Sequence, residues 1–190
     1  MGLRIFAAVV PPEDVVEHLD DFLDPRRDAD DGLRWTRREH LHITLAFMES
    51  VEDHLVDQYV DRLADGLSGT PIPDLRLGGT LAFPDVASAR ALALGVRPVS
   101  EAADVVLERM AGRARNAAVT SGIEVDGGRF RPHLTVARLR HKADVTRWVH
   151  VLDTYDGPSW PVYEVAVIAS HLGEGPNHTP RYETMAEIPL

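Results

Sequence analysis

The chain contains no cysteine, which excludes disulfides, a thiol nucleophile and any zinc site built on thiolates. Lysine is almost as scarce, since Lys142 is the only one among 20 basic residues. Its surroundings, His141-Lys142-Ala143-Asp144, are not a Walker-type phosphate loop, and a lone lysine in that polar setting does not suggest a nucleotidyl-lysine enzyme. No apolar run approaches the roughly 20 residues that span a bilayer. The opening stretch, Met1 to Asp14, turns acidic too soon for a signal peptide. A cytoplasmic protein without a membrane partner is therefore expected. The G-x-S-x-G and H-E-x-x-H signatures are both missing, and Gly173-Glu174-Gly175 lacks the third glycine and the strand–helix frame of a dinucleotide loop.

Positive charge is also in short supply. Twenty Lys and Arg against 30 Asp and Glu leave a net charge of −10 at pH 7. A surface of that sign does not wrap extended nucleic acid, where phosphate neutralisation dominates affinity, but it leaves room for a local pocket that grips one terminal phosphate. With 190 residues, 44% of them apolar and 26% charged, the composition suits a globular protein read as one domain, 1–190, of two packed lobes.

What the chain does have is a short pattern used twice. His42-Ile43-Thr44-Leu45 and His133-Leu134-Thr135-Val136 both read His-x-Thr-apolar, 91 positions apart. Each lies in an alternating run. His40, His42, Thr44 and Ala46 are expected on one face, opposite Leu41, Ile43, Leu45 and Phe47; Arg131, His133, Thr135 and Ala137 align against Leu134 and Val136. A histidine that titrates near neutrality beside a hydroxyl is half of an acid–base phosphate site, and two such halves facing each other make a whole one. One imidazole acts as base on water, the other as acid to the leaving oxygen, and Thr44 and Thr135 hold phosphoryl oxygens. Neither metal nor cofactor is needed. His40-x-His42 is also a plausible two-ligand metal pair, yet no Asp or Glu shares either His face to complete it. His18, His54, His141, His150 and His178 have no such company and are expected at the surface.

Strands are expected at Leu3–Val10, Leu41–Phe47, Leu75–Phe83, Arg90–Val96, Tyr163–Ser170 and Glu183–Ile188, besides the second His run after Gly127-Gly128. A hairpin is expected across Pro84–Ala89. Helices are expected at Glu13–Leu23; from Ser50, with Val51, Leu55, Tyr59, Leu63 and Leu67 inward; at Ser100–Ser121, with Val105, Leu107, Met110, Ala114 and Ala117 inward; and at Ala143–Thr154. Asp24–Gly32 and Gly173–Pro180 read as loops. Each His-Thr strand is followed by a helix, which suggests an α+β fold of two pseudo-symmetric lobes, each a mostly antiparallel β-sheet backed by helices.

These residues resemble the two-histidine phosphoesterase superfamily, and within it the LigT-like RNA 2′,3′-cyclic phosphodiesterases (the 2′-5′ RNA ligase family). Trp35 followed by His40-Leu-His-Ile-Thr-Leu-Ala-Phe47 resembles the first family signature, and Phe130-x-Pro132-His133-Leu134-Thr135-x-Ala137-Arg138 the second. Arg4-x-Phe6, Phe83-Pro84, Ser170-x-Leu172 and Tyr182 resemble the flanking strands. The resemblance implies an active site in the groove between the lobes, and hydrolysis of RNA 2′,3′-cyclic phosphate ends to 2′-phosphomonoesters without metal or ATP. It implies His42 as the acid on the 3′ oxygen, His133 as the base on water, and Thr44 and Thr135 on the phosphoryl oxygens. Arg138 matches a substrate-facing family arginine, although strict alternation puts it opposite His133; either a bulge re-aims it or it serves structure. Phe47, Phe83 and Tyr182 are candidates to stack on a base or ribose. Substrates in view are RNA 3′ ends, 2′-5′ oligonucleotides or a small cyclic phosphate, taken by a monomer; a module that grips RNA ends without turnover is the non-enzymatic alternative.

Overall fold

Leu3–Val9 (β1) is buried along most of its length because both its edges are paired, to Ile43–Val51 (β3) on one side and Glu164–His171 (β8) on the other. The computed structural model describes residues 2–30, 32–176 and 179–190. Within these, Leu33–Trp35 (β2), Asp74–Phe83 (β4), Ala89–Pro98 (β5), His133–Ala143 (β6), Asp156–Pro161 (β7) and Arg181–Pro189 (β9) complete a nine-stranded sheet. Its order is β7-β4-β5-β6-β3-β1-β8-β9, with β2 paired to β6, and every pairing is antiparallel.

That order places three strands on either side of the β6–β3 junction. On one side lie β5, β4 and β7; on the other lie β1, β8 and β9. Glu13–Leu23 (α1) packs on β7 and Thr146–Leu152 (α4) on β4, so both cover the first half. Asp53–Leu67 (α2) and Glu101–Thr120 (α3) pack on each other, α2 on β9 and α3 on β3, covering the second, and α3 also reaches β5 across the junction. The α+β architecture of two helix-backed antiparallel halves is the expected one. The halves are fused into one sheet by a single paired position, Ile43 with Leu134, both fully buried. Among the described residues no helix is long and apolar enough to cross a membrane.

Burial follows the pleat of β1. Ile5, Ala7 and Val9 join the main core under the helices, whereas Phe6 and Ala8 turn to the other face and form a small second cluster with Ala166 and Ile168. Phe47 and Tyr182 pack against that second cluster. It floors the groove described below.

Several boundaries differ from expectation. The first His strand begins at Ile43 and runs on to Val51, because Val51 pairs with Leu3; the next helix therefore starts at Asp53, with Glu52 rather than Ser50 at its cap. Val51 is buried in the core as expected, but from β3; in α2 it is Val56 rather than Leu55 that joins Tyr59, Leu63 and Leu67 there. Ser100 caps α3 as expected, its Oγ accepting from Ala103 N–H at 3.1 Å, but the buried stripe takes Val106 and leaves Val105 outside. The charged run after α1 is a 3₁₀ helix, Asp24–Ala29. The last helix is shorter than expected because β6 continues to Ala143. Residues 177 and 178, in the expected Gly173–Pro180 loop, lie outside the described residues, and so does His178.

Candidate active site in the groove between the halves

The two His-Thr motifs meet at the junction. Since Ile43 stands opposite Leu134 in an antiparallel pair, His42 falls opposite Thr135 and Thr44 opposite His133. The four side chains form a two-by-two array on one face, with the histidines on one diagonal, where an ideal ladder spaces residues by about 7–8 Å. On the reverse face Leu41, Ile43, Leu45, Leu134 and Val136 are buried in the main core.

Alternation holds only as far as the threonines. On β3 the partners of β1 step from Ala7–Ala46 to Ala8–Thr44, so β3 carries one extra residue at Leu45. On β6 the partners of β5 step from Leu92–Ala137 to Ala93–Thr135, so β6 carries one extra residue at Val136. Both are β-bulges, and both fall three positions after the motif histidine. Leu45 and Ala46 are consequently buried in succession, as are Val136 and Ala137. The expected places of Ala46 and Ala137 on the histidine face, and of Phe47 on the apolar face, are thus corrected. Beyond each bulge the next residue swings back to the groove: Phe47 on one strand, Arg138 on the other. The bulge is what aims Arg138 into the same cavity as His133.

Each imidazole is held in the same way. His42 Nδ1 lies 2.7 Å from the His40 carbonyl oxygen, and His133 Nδ1 lies 2.7 Å from the Arg131 carbonyl oxygen. A carbonyl only accepts, so Nδ1 carries the proton and donates, which leaves Nε2 of both rings free for chemistry. Phe6 stacks on the His42 ring at 4.5 Å and 27°, and Tyr182 meets it edge-on at 5.6 Å. Phe83 lies against the His133 ring at 4.7 Å, with Arg131 over the Phe83 ring in turn. Burial pushes the His42 pKa down to about 4, the hydrogen bond to the His40 carbonyl opposes that, and the nearby charges of His40, His133 and Arg138 add to the depression. Burial likewise lowers the His40 pKa and raises that of Tyr182.

The groove holds a cavity of about 570 Å³ whose lining carries Arg4, Arg34, Arg37 and Arg138 with His40, His42 and His133 and, among the described residues, no carboxylate. On a chain of net charge −10 this is a local inversion of sign, built for an anion. Among the described residues, the Thr44 and Thr135 hydroxyls have no protein hydrogen-bond partner and are free for a ligand, and no three His, Asp or Glu converge as metal ligands. Seven of the residues singled out in the sequence line the cavity: His42, His133, Thr44, Thr135, Arg138, Phe47 and Tyr182. Phe83 does not; it reaches the site by backing His133. His18, His54, His141 and His150 are exposed and remote from the array. Phe6, Ser170, Arg34 and Arg37 are lining residues to which the sequence reading gave no role in the site. For Phe6 the signal is its phase in β1, where the one aromatic side chain alternates with Ile5, Ala7 and Val9 and so shares a face with Arg4.

Comparison with known proteins adds the following. The family model described as the 2′-5′ RNA ligase superfamily matches residues 11–174. An RNA 2′,3′-cyclic phosphodiesterase of Thermotoga maritima is 24% identical over 165 residues, covering 87% of this chain and 82% of that protein. One of Methanothermobacter thermautotrophicus is 27% identical over 183 residues, covering 94% and 96%. The crystal structure of E. coli LigT complexed with 3′-AMP superposes with a TM-score of 0.76 at 24% identity, over 100% of this chain and 99% of that one.

Proposed function

Because this chain belongs to the 2′-5′ RNA ligase superfamily, we propose that it hydrolyses RNA 2′,3′-cyclic phosphate ends to 2′-phosphomonoesters, with residues 1–190 working as one bilobal unit. The observation that carries this reading is the Ile43–Leu134 pairing, which brings both His-Thr motifs face to face with each Nε2 free, inside a cationic cavity on an acidic protein.

The threonine hydroxyls and Arg138 hold the non-bridging oxygens of the cyclic phosphate. His133 Nε2 takes a proton from water, whose oxygen attacks phosphorus opposite the 3′ oxygen. The P–O3′ bond breaks, its electron pair goes to the 3′ oxygen, and His42 Nε2 supplies the proton that makes the 3′-hydroxyl. The product is a 2′-phosphomonoester, and the two imidazoles return to their starting states through solvent. Neither metal nor ATP enters, since the imidazoles supply both proton transfers. Phe6 and Tyr182 fix the His42 ring, and Phe83 the His133 ring. Phe47 offers a face for base or ribose.

The depressed pKa of His42 bears on its role. In the empty cavity its imidazole is neutral at pH 7, so it serves as the acid only after the anionic phosphodiester has drawn a proton onto it. The same depression favours a second assignment in which His42 is the base and His133 the acid.

The groove takes one RNA end or a small cyclic phosphate, while the net charge of −10 disfavours a long strand; the chain acts as a monomer in the cytoplasm. The test is incubation with a short RNA ending in 2′,3′-cyclic phosphate, with chelator and without ATP. Conversion to the 2′-phosphate supports the reading, and an untouched end refutes it.

A further inference from the structure

Two arginines face each other across the strand pair that borders the groove. Arg34 of β2 stands directly opposite Arg138 of β6. Their flanking residues, Leu33 and Trp35 on one strand and Ala137 and Leu139 on the other, turn inward: Leu33, Ala137 and Leu139 are buried, and Trp35 packs against the core. Both arginines therefore turn outward together, and both line the cavity. Like charges directly opposite on a sheet repel and weaken the pairing. Other cavity arginines are partnered, Arg4 by Glu49 at 3.1 Å and Arg37 by Glu39 at 3.4 Å. Among the described residues, Arg34 and Arg138 have no ion-pair partner. An unrelieved pair of this kind is what a site for a second anion needs.

The pseudo-symmetry of the bulges sharpens the point. Phe47 and Arg138 occupy the same offset from their motif histidines and follow equivalent bulges. One half of the groove thus offers an aromatic surface of Phe47, Phe6 and Tyr182, suited to a base, while the other offers two guanidinium groups.

We propose that Arg34 and Arg138 form a second phosphate subsite that takes the 5′-phosphate of the terminal nucleotide, so that the protein selects RNA ends over a bare nucleoside 2′,3′-cyclic phosphate. The inference rests on the proposed cyclic phosphodiesterase activity for its substrate class. In an RNA chain the nearest anion to the cyclic phosphate is the phosphate on the 5′ oxygen of the same ribose. A nucleoside cyclic phosphate lacks it. Arg138 then serves both anions, and Arg34 contacts only the second.

Two measurements test this. The first compares binding of adenosine 2′,5′-bisphosphate with that of adenosine 2′-monophosphate by calorimetry. The second compares kcat/KM for adenosine 2′,3′-cyclic phosphate with and without a 5′-phosphate. The expected preference is about tenfold for the 5′-phosphorylated compound in both, the size of one charge-assisted contact. In Arg34→Gln that ratio falls toward one, and the melting temperature stays level or rises because the repulsion is gone. Equal affinity for the two ligands in the unaltered protein overturns the proposal, as does an unchanged ratio in Arg34→Gln. If the pair merely collects free phosphate, added inorganic phosphate inhibits but the ratio is one, which also overturns it. Preferential binding without hydrolysis of either cyclic phosphate sustains the subsite and sinks the activity instead.

Discussion

Ile43 and Leu134 are paired across the only position at which β3 and β6 touch in register, and every motif side chain is placed relative to that pair. Both residues are fully buried, so the mutual alignment of the two motifs rests on the backbone pairing at this position and on the apolar packing of its two side chains.

Truncation at this junction should therefore damage stability and alignment together. Leu134→Ala is expected to cost about 2–5 kcal/mol, the usual range for a buried leucine, read as a shift in denaturant midpoint. Below the new midpoint, kcat should fall while the fold persists. A variant with near-unaltered stability would show that the junction packs more loosely than its burial implies.

Anion binding and proton uptake at His42 should be linked. Sulfate does not titrate across the relevant range, and its charge in the cavity opposes the desolvation and the neighbouring cations that hold the His42 pKa near 4. Sulfate should raise that pKa, and sulfate affinity should rise as pH falls through the bound-state value toward the free-state one. NMR titration of the His42 ring with and without sulfate measures both. A His42 titration indifferent to sulfate would mean that the anion sits elsewhere.

The acid and base assignments separate with a substrate whose 3′ bridging oxygen is replaced by sulfur. A thiolate leaves without a proton, so the variant lacking the acid is rescued and the one lacking the base is not. The expected pattern is recovery of turnover in His42→Ala alone. Recovery in His133→Ala alone would establish the reverse assignment.

Much of this site was legible before any coordinates, because a strand's two-residue period puts His and Thr on one face in both motifs. What local periodicity does not carry is a bulge, which exists only relative to a partner strand. The consecutive apolar pairs Leu45-Ala46 and Val136-Ala137 were its one trace, and read as plain alternation they misplaced Phe47 and left Arg138 undecided. β7 is not among the expected strands: Gly157, Pro158 and Pro161 are poor strand formers, and pairing with β4 overrides that composition. The choice of Val105 over Val106 was a one-residue phase error, which helix α3 settles through its contacts with β3 and β5. Arg34 drew no notice as a site residue because its significance lies in what stands opposite it.

The most direct test of the central claim is turnover of an RNA 2′,3′-cyclic phosphate by His42→Ala, His133→Ala and the double variant, with chelator throughout. If the two imidazoles share one reaction, each single substitution should lower kcat by roughly 10²–10⁴-fold, and the double should lose much less than the product of the two. Full activity in either single variant would contradict the account.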